Sequence, residues 1–305
     1  MTGPSDFGFG RATRADEPEI RALVGGLVMP GTVSVRFERE PDYFLGTTVQ
    51  GDPCDVLIAR HLPDGELAAV MVRAERRVFI DGQPASLAYI GQIRIATRYQ
   101  GRWLMQRAAL EVAGLHDRSL PYLGVIASDN PVALGTIAGR RPPGEARVRR
   151  VARLHSLAFV LHDRARRPRA MMPLAPGNEV DLDELVAFLR AMGPRRQFFP
   201  VVTGDHLIND RTYRGLRLED LCVVRRDGKI AGVMGSWDQT RYKQEMAAAY
   251  APRLRRLRPA YDLLARTLGG DRLPREGECR MDVRRTVDPS EPFQVACGKA
   301  LGADR

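Results

Sequence analysis

The residues best placed for chemistry form a loop, Gln100 to Met105, between an alternating strand and a helix. Ile93 and Ile95 alternate with polar residues before the loop, which is the period of a strand with one buried face. After it, apolar residues recur at helical spacing as far as Leu115. Backbone N–H groups at a helix N-terminus are unpaired donors reinforced by the helix dipole, and they bind phosphate. The pattern therefore predicts a nucleotide site in this loop.

The loop resembles the signature of the GNAT acetyltransferase superfamily, in which a strand ends in V-x-P-x-Y-R-G-x-G-x-G before a helix. Here Ile95 to Met105 reads I-A-T-R-Y-Q-G-R-W-L-M. Ile95, Tyr99 and Gly101 match, and Gln100 is a variant that the family allows. The resemblance covers Arg11 to Gly139, and more faintly Pro173 to Trp237.

The resemblance implies an acyl-CoA cosubstrate, acetyl-CoA or another acyl-CoA. The loop would hold the pyrophosphate, and the edge of the preceding strand would pair with the amide groups of the pantetheine arm. The cofactor-binding residues that it implies are Ile93, Ile95, Gln100, Gly101, Arg102, Trp103, Leu104, Met105 and Asn130. Trp103 and Met105 occupy positions where the family has glycine, and a Cβ there obstructs close approach of phosphate to the backbone.

The catalytic groups of the family are not matched, so the catalytic residues are unknown from the sequence. The family's tyrosine acid corresponds to Ile137, and its frequent glutamate base corresponds to Gln92, whose amide does not accept a proton at pH 7. Asp129 and Tyr89 are alternative candidates, although an N-cap aspartate and a packed tyrosine explain them equally simply. An amine that arrives deprotonated needs only backbone N–H groups to stabilise the oxyanion.

The surrounding elements predict an α/β (α+β) GNAT fold, a mixed central sheet with helices on both faces. A strand at Phe9 to Thr13 precedes a helix that starts at Asp16-Glu17-Pro18. A loose Pro/Gly stretch and a short helix near Pro41 to Val49 follow, and Asp64-Gly65 joins two strands. The order strand, helix, strand from Leu87 to Ala127 predicts a parallel, right-handed crossover.

The chain also predicts a duplicated fold with a degenerate second copy. Asp227 to Met234 repeats Asp64 to Met71 at an offset of 163, and Leu185-Val186 repeats Leu23-Val24 at 162. We expect an N-terminal acyl-CoA-binding domain at 1–165, an incomplete GNAT-like domain at 166–272 and a weakly ordered tail at 273–305. Trp237 either lines a cleft between the copies or packs in the core.

Composition narrows the function classes. The 305 residues are 44% apolar and carry a net charge of +10, almost all from arginine, which indicates GC-rich bacterial coding before nucleic-acid binding. The basic stretch Arg147 to Arg169 predicts a strand with solvent-facing arginines. Scattered cysteines and histidines predict no metal and no disulfide framework. No segment predicts export or a membrane span, so we expect a cytoplasmic protein with no membrane or nucleic-acid partner.

The leading hypothesis is an N-acyltransferase that acetylates a primary amine, either a small molecule or a peptide, with the second copy shaping the acceptor cleft. The alternative is a non-catalytic GNAT-like binding module, which the replaced glycines and tyrosine favour. A nucleic-acid-binding protein rests on charge alone.

Overall fold

The computed structural model describes residues 6–101, 104, 107, 120–128, 130–138, 148–153, 174–209, 211–268 and 272–278. The N-terminal elements are β1 (Phe7–Arg11), α1 (Glu17–Gly26), β2 (Val28–Met29), β3 (Val33–Glu38), α2 (Tyr43–Thr48), β4 (Cys54–His61), β5 (Leu67–Ile80), β6 (Gln83–Ile95), β7 (Tyr122–Gly124) and α3 (Pro131–Ala138). The later elements are β8 (Leu174–Pro176), α4 (Leu182–Met192), α5 (Gly204–Ile208), β9 (Leu221–Arg226), β10 (Lys229–Gly235), β11 (Gln244–Tyr250) and α6 (Pro252–Leu268).

The N-terminal sheet has the strand order β1-β4-β5-β6-β7. Its pairs are antiparallel except β6 with β7, which are parallel as the crossover predicts. The turn between β5 and β6 is the two-residue pair Asp81-Gly82, both at positive φ, the geometry of a tight hairpin. The sequence suggests a separate strand around Arg77 to Ile80, but the structure shows that these residues are the end of β5.

Helical residues cover both faces of this sheet. On one face α1 and α2 bury a cluster that contains Ile20, Tyr43 and Val70. On the other face the helical residue Leu104 packs with Tyr99. Both faces are therefore apolar, which explains why β4 and β5 are buried along most of their length.

A third sheet, β11-β3-β2, corrects the sequence analysis. The chain before Pro41 is not a loose stretch, because Val33–Glu38 is a strand. The region after Trp237 also contains a strand, Gln244–Tyr250, before the helix. The two strands pair antiparallel from Gln244 opposite Glu38 to Tyr250 opposite Val33. This pairing joins segments about 200 residues apart, so neither strand has a local partner that would reveal it in the sequence.

The C-terminal sheet, β10-β9-β8, reproduces the N-terminal one in register. Leu174 lies opposite Val224 and Pro176 opposite Cys222, which are the pairings of β1 with β4 shifted by 165 residues. Each hairpin also carries a bulge at the second residue after its arginine pairing, at Ala68 and at Ala231. Shared pairings and a shared bulge confirm the duplicated fold, with three strands in the described part of the second copy.

The structural alignment moves the helix match by three residues from the sequence alignment. At the offset of 165, the capping residues Asp16 and Asp181 correspond. Glu19 corresponds to Glu184, and Arg60 binds Glu19 as Arg225 binds Glu184, at 2.9 and 3.0 Å. Each arginine also donates to the carbonyl of its turn glycine, Gly65 or Gly228. The hairpin offset of 163 is smaller because the second turn is two residues shorter.

Two peripheral predictions fall partly outside the described residues. Residues 148–153 have no regular structure, so this part of the basic stretch is not a strand, and 154–169 are not described. At the start of the predicted tail, Glu278 accepts a backbone hydrogen bond from Ala247, and Gly277 donates one to it. Within the described residues, no helix is long and apolar enough to cross a bilayer.

Candidate acyl-CoA site

The candidate site begins where β6 and β7 separate. They pair at three positions, from Ala88 opposite Tyr122 to Ile90 opposite Gly124. Beyond this point Gly91 to Ile95 pair with β5 alone among the described residues. One edge of β6 is thereby left available, and an extended ligand that carries amide groups can add to such an edge as a strand does.

A bulge interrupts β6 beside this opening. Val70 lies opposite Arg94 and Val72 opposite Gly91, so Gln92 and Ile93 together face Met71. Gln92 adopts φ 52°, a left-handed conformation that is uncommon for a residue with a side chain. A bulge releases backbone groups from the ladder, which provides N–H donors for a developing oxyanion. Both polar atoms of the Gln92 amide are buried without a hydrogen-bond partner in the described part of the chain.

The loop after β6 starts as a 3-10 turn, Thr97–Tyr99, and reaches Gly101 at φ 76°. A Cβ at Gly101 would meet no atom within 4 Å, so backbone conformation and not packing requires glycine here. The Gln100 amide donates to the carbonyl of Ile95 at 3.3 Å. Leu104 is buried, whereas Arg102, Trp103 and Met105 lie outside the described residues.

The β4–β5 turn holds this loop in place through Tyr99. Its buried hydroxyl donates to Glu66 Oε2 at 2.9 Å and approaches Asp64 Oδ2 at 3.2 Å. Arg98 Nη1 lies 2.7 Å from Glu66 Oε2. Burial and the hydrogen bond to Glu66 raise the pKa of Tyr99 to about 12. Asp64 and Glu66 are positioning residues that sequence reasoning missed, because 33 or more residues separate them from Tyr99.

The remaining predicted cofactor residues lie beside the opening. The Ile93 side chain packs on Leu57 and Met71, and Ile95 packs in the cluster of Tyr99 and Leu104. It follows that backbone atoms, and not these two side chains, are available to a ligand. The structure brings Ile93, Ile95, Gln100, Gly101 and Leu104 together along one continuous segment.

Asn130 caps the helix that follows β7. Its Oδ1 accepts a hydrogen bond from the N–H of Ala133 at 3.0 Å at the start of α3. The cap belongs to Asn130, while Asp129 lies outside the described residues. The side chain of Ile137 is likewise not described.

Tyr89 and Trp237 fit the packing interpretation. Burial raises the pKa of Tyr89, and its ring crosses Gly91 so closely that a Cβ there would lie 2.5 Å from Tyr89 Cε1. Trp237 donates from Nε1 to the carbonyl of Arg214 at 2.7 Å. Its ring lies 5.6 Å from that of Tyr213.

Comparison with known proteins places the fold. No family model and no curated protein matches the sequence. Among solved structures, Saccharomyces cerevisiae N-myristoyltransferase with bound myristoyl-CoA aligns over 83% of this chain with a TM-score of 0.50 and 10% identity. The chain spans 61% of that protein. The chain has a GNAT fold.

Two smaller enzymes align over about half of this chain. A Trypanosoma brucei acetyltransferase aligns over 50% of this chain and all of its own, with 14% identity and a TM-score of 0.34. Glucosamine-6-phosphate N-acetyltransferase from Arabidopsis thaliana aligns over 48% of this chain and 99% of its own, with 15% identity and a TM-score of 0.32.

Proposed function

We propose that this protein is an N-acyltransferase that moves an acyl group from coenzyme A to a primary amine. One observation carries the proposal: the opening beside β6, the bulge at Gln92 and the glycine loop follow one another without interruption. A strand edge, backbone donors and a helix entry are the three parts that a pantetheine arm, a thioester carbonyl and a pyrophosphate each require.

The reaction follows from this order of parts. The lone pair of a neutral amine attacks the thioester carbon, a C–N bond forms, and the negative charge moves to the carbonyl oxygen. Backbone N–H groups at the bulge stabilise that oxygen. The C–S bond then breaks, and the net transfer of one proton from nitrogen to sulfur leaves an amide and the thiol of coenzyme A. We assign no general base or acid.

The cofactor contacts form part of the proposal. Backbone atoms of Ile93 and Ile95 would pair with the pantetheine arm, and the segment from Gln100 through Arg102, Trp103 and Leu104 to Met105 would enclose the pyrophosphate. Asn130 would border the site from the capped end of α3. The first copy supplies this site, and the second copy helps to shape the acceptor cleft.

A non-catalytic binding module is the second candidate. Trp103, Met105 and Ile137 favour it, because the resembled family has glycines and a tyrosine at these positions. Such a module would bind acyl-CoA, or a related nucleotide, without turnover.

Calorimetric titration with acetyl-CoA tests the proposal. We expect micromolar binding that Gly101→Val weakens by about tenfold or more, since the left-handed backbone and the space above it are both lost. The matched control is Gly228→Val, because Gly228 also has φ 76° and open space around its Cα. Absence of binding up to millimolar acetyl-CoA overturns the proposal.

Release of the coenzyme A thiol in the presence of a panel of primary amines then separates the two candidates. Amine-dependent release supports the enzyme. Tight binding without release for any amine in the panel supports the binding module.

A further inference from the structure

Three cations converge on the sheet face that α1 and α2 cover. Arg39 follows β3 and is 6% exposed. Lys243 precedes β11, and the pairing of Gln244 with Glu38 places it opposite Arg39. Arg94 extends from β6, and its Cζ lies 5.7 Å from the ring centroid of Phe37 on β3. Three elements distant in sequence thus bring positive charge to one place.

None of these cations has a carboxylate within ion-pair distance in the described part of the chain. Nearby carboxylates are occupied elsewhere: Glu38 binds Arg36 at 2.7 Å, and Glu17 binds Arg21 at 2.9 Å. Glu245 acts on Arg39 and Lys243 through the electrostatic field without forming an ion pair. Charge at this position is therefore not balanced by the protein.

Hydrogen bonding at the cluster is also incomplete. Arg39 donates from Nη1 to the carbonyl of Glu38, but its Nε has no partner among the described residues. The Tyr43 hydroxyl is fully buried and has none either. Burial lowers the pKa of Arg39, Arg94 and Lys243, and the charge of Arg39 lowers that of Lys243 further. Buried charges and donors without partners cost several kcal/mol unless a ligand satisfies them.

The cluster lies next to the candidate site. Arg94 is two residues beyond Gln92 at the bulge, and it lies opposite Val70, whose side chain packs under α1. Ile93 and Ile95 pack on the other face, where Leu104 lies. An acceptor on the α1–α2 face would therefore place its amine at the bulge and the rest of the molecule beside Arg94.

We propose that the acceptor carries an anionic group, a carboxylate or a phosphate, that binds among Arg39, Arg94 and Lys243 with a hydrogen bond from Tyr43. This inference rests on the proposed acyl transfer and names the acceptor class. Guanidinium groups suit both anions, because their parallel N–H donors match two oxygens.

Thermal unfolding with added phosphate or succinate, against chloride at equal ionic strength, tests the anion site without acyl transfer. We expect the midpoint of the wild-type protein to rise. Arg94→Gln should abolish the rise and leave the midpoint in chloride unchanged or higher, because it removes an unbalanced buried charge. Lys243→Met should reduce the rise in the same way.

The control variant is Arg225→Gln, because Glu184 already balances that arginine. It should lower the midpoint in chloride and keep the anion-induced rise. No rise in the wild type, or a full rise in Arg94→Gln, overturns the inference.

Turnover with matched amines identifies the anion. β-Alanine is compared with propylamine, and O-phosphoethanolamine with ethanolamine, each with acetyl-CoA. We expect the anionic member of one pair to react about tenfold faster or more, and Arg94→Gln to remove that difference. Equal rates within both pairs overturn the anionic acceptor and leave acyl transfer intact. Anion-induced stabilisation without turnover of any amine supports the anion site and counts against the enzyme.

Discussion

The hydroxyl of Tyr99 donates a hydrogen bond of 2.9 Å to Glu66 Oε2, and this bond ties the candidate phosphate loop to the turn between β4 and β5. Tyr99 immediately precedes Gln100, and its ring lies edge-on to Phe7 at 5.6 Å. The position of the loop therefore depends on a hairpin that does not itself border the opening beside β6.

Tyr99→Phe should lower the free energy of unfolding by about 1 kcal/mol, because the ring remains packed and one hydrogen bond is lost. It should also weaken acetyl-CoA binding, since the loop loses its anchor. Urea unfolding and calorimetry measure the two effects. Tyr250→Phe is the control, because the Tyr250 hydroxyl bonds to the carbonyl of Pro274, away from the loop. Equal loss of affinity in both variants would show that the anchor is not specific.

The same tyrosine predicts a pH dependence. The pKa of Tyr99 is about 12 in the folded protein against 10.0 for a free tyrosine. Below pH 10 its stabilising contribution is complete, and as pH rises from 10 towards 12 the unfolded chain ionises first and the contribution is lost. Unfolding free energies measured across this range should fall more steeply for wild type than for Tyr99→Phe. Parallel curves would contradict the assignment.

Gln92→Gly should raise the free energy of unfolding by about 1 kcal/mol, because φ 52° strains a side chain and not a glycine. The substitution also removes a buried amide without partners among the described residues. Chemical denaturation measures the change. Ser86→Gly, at an ordinary position of β6, should instead lower stability by about 0.5–1 kcal/mol. The same sign of effect at both positions would refute the strained bulge.

Gly91→Ala should lower stability by about 1–3 kcal/mol, because its Cβ would lie 2.5 Å from the Tyr89 ring. In a Tyr89→Ala background the same change should cost much less. A double-mutant cycle of unfolding free energies measures this coupling. Additive losses would show that Tyr89 does not cross Gly91 in solution.

A chain that ends after Arg169 should fail to fold cooperatively, because it lacks β11, which pairs along the whole of β3. A chain that ends after Glu278 keeps β11 and should unfold in one cooperative transition. Circular dichroism and thermal unfolding distinguish these outcomes. Cooperative folding of the shorter chain would show that the first copy is an independent domain.

The sequence by itself determined the features that depend on neighbouring residues. The period-two strand before Gln100, the need for glycine at 101 and the strands on either side of Asp64-Gly65 all follow from local backbone chemistry. It also predicted the duplicated fold, because Asp227 to Met234 retains the pattern of the first hairpin. The sequence register was in error by three residues at the helix, since apolar spacing alone does not fix which turn of a helix faces the sheet.

Only the tertiary structure decided the features that depend on distant pairing. β3 and β11 are partners across about 200 residues, and neither has a local signal that specifies the other. The Tyr99 anchor and the cluster of Arg39, Arg94 and Lys243 arise in the same way. In an arginine-rich chain, the sequence does not distinguish a solvated arginine from a buried one. Burial and the positions of the carboxylates make that distinction, and both are properties of the fold.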